Sequence, residues 1–189
     1  MDTQSCTAFV GSRRVASGAL VDVARAAKEY VDKGHPESVL VFDDQTGRQL
    51  EIDFRGSVYD VVGRLMTQPA EPPAPPKKAG RPKLGVVARE VTLLPRHWDW
   101  LSAQPGGASV ALRKLVEEAR RAHAGSDEIR NAQDAAYRVM VALAGDERGF
   151  EEATRALYGR DATKFQEMTS QWPPDVRDHA RKLALKVFE

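Results

Sequence analysis

The first part of the chain alternates between two spacings of hydrophobic residues. Residues 7–10 and 14–16 are apolar or alternating, and they flank the short turn at residues 11–12, which predicts a β-hairpin. Apolar residues then recur at helical spacing, and this spacing predicts a helix that ends at Gly34. The residues on the apolar face of this helix are Leu20, Val23, Ala24, Ala27 and Val31.

A second strand–strand–helix pattern follows directly. Residues 39–42 are a short apolar run, and the three residues Leu50, Ile52 and Phe54 alternate with polar ones, as in a half-buried strand. Ser57 is positioned to cap a helix that extends to about residue 65. The order ββαββα over residues 1–67 therefore predicts a small α+β domain.

Residues 68–84 have the composition of a linker. They contain six prolines, which oppose both helix and sheet and favour an extended polyproline geometry. Four basic residues and one glycine also lie within this stretch. We therefore interpret residues 68–84 as a proline-rich basic linker.

Beyond the linker, the patterns predict one strand and then helices. Residues 85–94 have the β-branched content of a strand, Pro95 can open a helix over residues 95–104, and residues 105–107 break it. A second helix is expected from Ser109 to about residue 121, with apolar residues along one face. Residues 85–124 are therefore treated as one segment.

The last part, residues 125–189, is helical throughout. Apolar stripes at helical spacing begin at Ile129 and at Phe150, Thr163 and Gln166 fit a capping box, and residues 173–174 can start a final helix. Because these stripes need partners, we expect a helical bundle. The predicted fold class is α+β: an N-terminal ββαββα domain, a linker, and a strand followed by a mostly α-helical bundle.

The charges are distributed unevenly, although the net charge is only +1. Residues 1–76 carry 8 basic and 11 acidic side chains (−3), residues 77–124 carry 10 and 4 (+6), and residues 125–189 carry 10 and 12 (−2). A positive middle segment between acidic flanks attracts polyanions. The alternative is a solvated charged surface without a ligand.

The linker contains a short motif that resembles an AT-hook, a minor-groove binder. A Gly-Arg-Pro core is narrow and extended, and an arginine inserted into a narrow A-tract groove meets a strongly negative potential. The resemblance implies insertion of Arg81 and phosphate contacts from the flanking lysines. The residues that carry it are Lys77, Lys78, Gly80, Arg81, Pro82 and Lys83. The alternative is a flexible basic spacer.

Residues 87–121 resemble a ribbon-helix-helix domain, with a strand over residues 89–94 and helices over 95–104 and 109–121. This resemblance implies that two chains pair their strands into a homodimer and that the strand enters the major groove, so that Arg89 becomes a candidate DNA contact. Neither face of the strand suits base readout, because one carries Val91 and Leu93 and the other carries Glu90. A strand-helix-helix unit that only packs the domain is the alternative.

Signatures of enzymes are absent from the sequence. The four histidines have no i, i+4 pair, the single Cys6 has no second cysteine, and no nucleotide-binding glycine loop or G-x-S-x-G motif occurs. We therefore expect a non-enzymatic protein without a metal or cofactor. Residues 43–44 are interpreted as turn-forming carboxylates.

These patterns lead to two hypotheses of different classes. The first is a bacterial-type DNA-binding protein, a transcriptional regulator or nucleoid-associated protein that prefers AT-rich duplex. The second is a protein–protein adaptor whose two parts each hold a partner. Without a signal-peptide pattern or a long apolar run we expect no membrane contact and a cytoplasmic location. The layout as a whole also resembles an uncharacterised bacterial family, which brings no known activity.

Overall fold

The computed structural model describes residues 4–34, 38–66, 87 and 89–189. The predicted linker, with its AT-hook-like residues, lies outside the described residues. The described part divides into two compact units: one comprises the residues up to Met66 together with those from Asp127, and the other comprises the described residues between 87 and Ser126.

The N-terminal part folds in the predicted order. Its elements are β1 (Ser5–Val10), β2 (Arg13–Ala19), α1 (Leu20–Asp32), β3 (Val39–Asp43), β4 (Gln49–Leu50) and α2 (Val58–Met66). All strand pairs are antiparallel, and the strand order is β2-β1-β3-β4. Ser57 and Asp60 exchange hydrogen bonds at the start of α2, so the predicted cap is confirmed. The α+β class and the ββαββα order are therefore confirmed.

Both faces of β1 are buried from Cys6 to Val10, and this explains why four of those five residues are apolar. Cys6 and Ala8 face one core together with Val23 of α1, whereas Phe9 faces a second core together with Phe42 of β3. The two-residue period of a strand sends alternate side chains to opposite faces. The sheet is therefore a layer between α1 and a second set of helices.

One of the strand predictions is wrong in extent. The strand predicted over Leu50, Ile52 and Phe54 is only two residues long, since β4 pairs with β3 through Val41–Leu50 and Phe42–Gln49 alone. Ile52 and Phe54 are nevertheless half-buried against the first core. The alternating pattern therefore predicted correctly that these side chains are half-buried, but they are not part of a hydrogen-bonded strand.

The second core is built from the C-terminal helices of the same unit. These helices are α5 (Phe150–Gly159), α6 (Ala162–Met168), α7 (Pro174–Leu183), α8 (Leu185–Phe188) and the part of α4 (Gly107–Ala144) that begins at Asp127. The second unit contains α3 (Pro95–Ser102) and the first part of α4. The part of α4 from Asp127 contributes Ala136, Val139 and Met140 to the core. Phe9 and Phe42 of the sheet belong to this same core, so the N-terminal α+β part and the C-terminal helices share it.

Details of the C-terminal helices differ from the sequence predictions. The first residue before α6 is Asp161, whose carboxylate accepts a hydrogen bond from the backbone N–H of Lys164, so the capping box predicted at Thr163 is wrong. Aspartate is an equally good cap, and it precedes the helix. Trp172 is buried and its indole N–H donates to the carbonyl of Arg148.

In the second unit, α3 begins at Pro95 as predicted, and α4 begins at Gly107. Residues 89–94, where the sequence predicts a strand, form no strand. A strand requires hydrogen bonds from a neighbour, and no described segment of the same chain pairs with these residues. The helix predicted from Ser109 to residue 121 continues without a break through Gly125 to Ala144. Across the described residues, none of the helices has the length and apolar content needed to cross a bilayer.

Candidate functional site

Of the predicted DNA-contacting residues, only Arg89 belongs to the described part of the chain. Its side chain is exposed. The other six, Lys77 to Lys83, lie outside the described residues. The described part of the basic middle segment includes α3 and the first part of α4.

All described cations of this segment point into solvent. They are Arg89, Arg96, Arg113, Lys114, Arg120 and Arg121, and each is exposed. On α4, Glu117 accepts a hydrogen bond from Arg120 at 3.0 Å and lies 3.9 Å from Arg121. Exposed helix pairs of this kind contribute only about 0.3–0.5 kcal/mol, so these arginines remain available to another anion.

The same segment exposes large hydrophobic side chains. Seven of the fourteen exposed large hydrophobic residues of the described chain lie between residues 87 and 116, whereas within that span Leu101 and Ala111 are the buried ones. The exposed seven are Val87, Val91, Leu94, Trp98, Trp100, Leu115 and Val116. These apolar side chains lie in the same compact unit as the exposed cations, so this unit presents both kinds of group to solvent. We call residues 87–121 the exposed basic–apolar surface.

A second polar arrangement lies inside the first compact unit, where the end of β3 meets α7. The Asp44 carboxylate, which is 7% exposed, accepts hydrogen bonds from Ser5 Oγ (2.8 Å), Thr7 Oγ1 (2.7 Å) and Lys182 Nζ (2.9 Å). Burial alone would raise the pKa of Asp44, but these hydrogen bonds lower it below its ordinary value. Asp44 is therefore a structural anion that ties the sheet to α7.

His179 lies beside this carboxylate and is 1% exposed. Its Nε2 atom is 3.8 Å from Asp44 Oδ1, and neither ring nitrogen has a hydrogen-bond partner among the described residues. Burial, together with the positive charges of Lys182 and Arg14, lowers the pKa of His179 to about 4 in spite of the nearby Asp44. The imidazole is therefore neutral at pH 7.

The neighbouring Asp43 has the turn-forming role that the sequence predicts. Its carboxylate accepts hydrogen bonds from the backbone N–H groups of Gln45 and Thr46 and from the Thr46 hydroxyl. The other carboxylate oxygen accepts a hydrogen bond from the side-chain amide of Gln4 at 2.6 Å, and this bond together with those from the turn lowers the pKa of Asp43, against the effect of burial. Asp43 is thus occupied by the turn and has no free oxygen directed at a ligand in these contacts.

The remaining chemistry-bearing groups show no catalytic arrangement within the described residues. Burial raises the pKa of the Cys6 thiol to about 11, which opposes thiolate formation. No group of three or more His, Cys, Asp or Glu side chains is placed to hold a metal ion in the part of the chain that the structure describes.

Sequence reasoning did not find the association of Asp44, His179 and Lys182. Lys182 and Asp44 are separated by 138 positions, and a lone histidine on an apolar helix face resembles any buried histidine. Only a pattern of co-varying positions in related sequences could have revealed this contact.

Comparisons with known proteins give one family. A family model described as "Uncharacterized protein conserved in bacteria (DUF2239)" matches residues 5–184, which include almost every element of both compact units. No curated protein and no solved structure matches the chain.

Proposed function

The chain belongs to the DUF2239 family of proteins conserved in bacteria, and from its own residues we propose that it is a non-enzymatic DNA-binding protein that prefers AT-rich duplex. The observation that carries this proposal is the Gly80-Arg81-Pro82 core in a segment of charge +6. The exposure of all six described cations between Arg89 and Arg121 supports it, because buried cations would not reach phosphate. A regulator or nucleoid-associated protein is the role that this activity serves.

The proposed contacts have different tasks. Arg81 inserts into the narrow minor groove of an AT-rich site, and Lys77, Lys78 and Lys83 contact phosphates on either side. Arg89 and the cations of the exposed basic–apolar surface add further phosphate contacts. Lysine and arginine contacts to phosphate give salt-dependent affinity without sequence preference, so the AT preference resides in Arg81.

Replacing Arg81 by alanine is therefore expected to remove the preference for AT-rich DNA. Loss of one specific groove contact costs about 1–3 kcal/mol, which weakens AT-rich binding roughly 5- to 150-fold and leaves GC-rich binding nearly unchanged. Fluorescence anisotropy with labelled AT-rich and GC-rich duplexes, at low and near-physiological salt, measures both affinities.

The matched control is Arg155→Ala, which removes one exposed positive charge from α5, in the other compact unit. It is expected to keep the AT preference. Equal binding of AT-rich duplex by Arg81→Ala and by the parent chain would show that the hook proposal is wrong. Absence of DNA binding by the parent at low salt would reject DNA binding altogether.

A second candidate function, a protein–protein interaction role, is favoured by the seven exposed hydrophobic residues between Val87 and Val116. The partner of suitable chemistry is a second copy of the chain, because residues 89–94 have strand-like composition and pair with no strand among the residues that the structure describes. Pairing these segments would make a homodimer and cover the neighbouring apolar side chains.

If this surface is a dimer interface, the double substitution Leu115→Glu and Val116→Glu is expected to produce monomers. Glutamate favours the helical conformation, so α4 is retained. The two new carboxylates would be buried in the dimer interface, which is unfavourable. Analytical ultracentrifugation over a concentration series measures the dissociation constant, which is expected to rise more than about tenfold, since one buried carboxylate already costs more than 1.4 kcal/mol. Leu185→Glu, at an exposed position of α8, is the control. A parent chain that sediments as a monomer at all concentrations would reject the homodimer.

A further inference from the structure

A polar groove lies within the first compact unit. It is bounded by the turn that follows β3, by the part of α4 after Asp127, and by α7 and α8. Its volume of about 860 Å³ falls in the range of roughly 300–1,000 Å³ that is typical of small-molecule sites. Because its walls come from segments far apart in sequence, the groove exists only in the folded chain.

The turn that forms one wall is held rigidly against α4. Gly47 has φ of +64°, and a Cβ atom at this position would lie 2.2 Å from the backbone oxygen of Ala135. Arg138 of α4 donates a hydrogen bond from Nη1 to the carbonyl of Thr46 at 2.7 Å. The wall is therefore preorganised, which reduces the entropy that a ligand must overcome on binding.

The charges in the groove leave a cation without an internal partner. Three of the four cations that line the groove have a carboxylate partner: Lys182 donates to Asp44 at 2.9 Å, Arg138 lies 3.7 Å from Asp134, and Lys186 donates to Glu189 at 2.8 Å. The hydrogen bond to Glu189 raises the pKa of Lys186, and the charge of Glu128, which also lines the groove, adds a smaller effect in the same direction. The fourth cation of the groove, Arg48, forms no side-chain ion pair with any described residue.

This arrangement favours an anionic ligand with several acceptor oxygens. A guanidinium binds phosphate or carboxylate through two parallel hydrogen bonds, and Lys182 retains N–H donors beyond the one that Asp44 takes. The neutral side chains of Gln45 and Asn131 also line the groove and can bind polar groups of a larger molecule.

The geometry points to a binding site for a small phosphate-bearing molecule in this groove, with Arg48 as the principal contact to the phosphate and Lys182 as a second. The groove is large enough to hold the organic part of a phosphate ester as well as its phosphate. The site is independent of the proposed DNA contacts, which lie on other residues.

Isothermal titration of the full-length chain with inorganic pyrophosphate tests this site. The parent chain is expected to bind saturably, and Arg48→Gln is expected to bind about tenfold more weakly or worse, since a hydrogen bond between charged groups is lost. Lys182→Gln, which removes the second proposed contact, is expected to weaken binding as well. Arg155→Gln removes an exposed cation outside the groove and is expected to leave binding unchanged.

Two outcomes would overturn the assignment as a whole. One is the absence of saturable binding by the parent, and the other is an equal loss in Arg48→Gln and Arg155→Gln, because both would reduce the groove to general surface charge. Displacement of pyrophosphate by duplex DNA would overturn the small-molecule assignment. Because Arg81→Ala leaves the groove intact, loss of DNA binding in that variant together with unchanged pyrophosphate binding separates the two proposals.

Discussion

Replacing Gly47 by alanine is expected to lower the free energy of unfolding by about 3 kcal/mol or more. Two effects add at this position. A residue with a Cβ atom at φ of +64° costs roughly 1–2 kcal/mol, and the new Cβ would lie 2.2 Å from the Ala135 carbonyl oxygen and 2.7 Å from its Cα, so the turn must move away from α4. Equilibrium unfolding in urea, followed by far-ultraviolet circular dichroism, measures the loss.

The control for this experiment is Gly11→Ala. Gly11 has a similar φ of +54°, but a Cβ there would meet no atom within 4 Å. We expect only the backbone contribution, so the difference between the two variants isolates the contact between the turn and α4. Equal losses in both variants would mean that this contact does not constrain the turn.

The stability of the chain is also expected to fall between pH 6.5 and pH 4 because of His179. The pKa of this histidine is about 4 in the folded chain and 6.5 when unperturbed, so the unfolded chain takes up the proton first as the pH falls. The free energy of unfolding therefore decreases from about pH 6.5 downward and becomes independent of this group below pH 4. The difference between the two pKa values corresponds to roughly 3 kcal/mol.

The variant His179→Leu is expected to lose most of this pH dependence. Leucine has a similar volume, retains the apolar contact with Phe9, whose ring centroid is 5.3 Å from the imidazole, and does not titrate. Aspartates with lowered pKa, such as Asp44, contribute stability that is lost below their ordinary value of 3.8, in a lower pH range.

Urea unfolding at closely spaced pH values measures the pH dependence of both chains. His97→Leu, at an exposed position of α3, is the control and is expected to keep the slope of the parent. A parent chain with constant stability from pH 6.5 to pH 4 would show that His179 is not held neutral by its surroundings.

Local patterns in the sequence were sufficient to predict most elements. The period-2 and helical spacings predicted β1, β2, α1 and β3, and the capping and proline signals predicted the starts of α2, α3 and α7. These signals depend on residues within a few positions of each other, and the physical rules that connect them to structure are local.

The long-range associations were not predictable, because no single-sequence signal carries them. Phe9 reads as one of several apolar residues in a strand, and nothing in the sequence indicates that it shares a core with Val176 of α7. For the same reason, the approach of Gly47 to Ala135, which shapes the proposed groove, could not be inferred from a turn motif. The strand predicted at residues 89–94 failed differently: its composition is favourable, but a strand also needs a neighbour.

The single cysteine of the chain lies on β1, an inner strand of the sheet, and belongs to the core that includes Val23 of α1. Cys6 is fully buried, and its thiol is largely uncharged at neutral and mildly alkaline pH. A thiol-specific reagent can therefore modify the protein only when the sheet opens, so the rate of labelling at one atom reports the frequency of opening in the native state. The opening of the native sheet can therefore be followed at Cys6 itself, without a second cysteine being engineered into the chain.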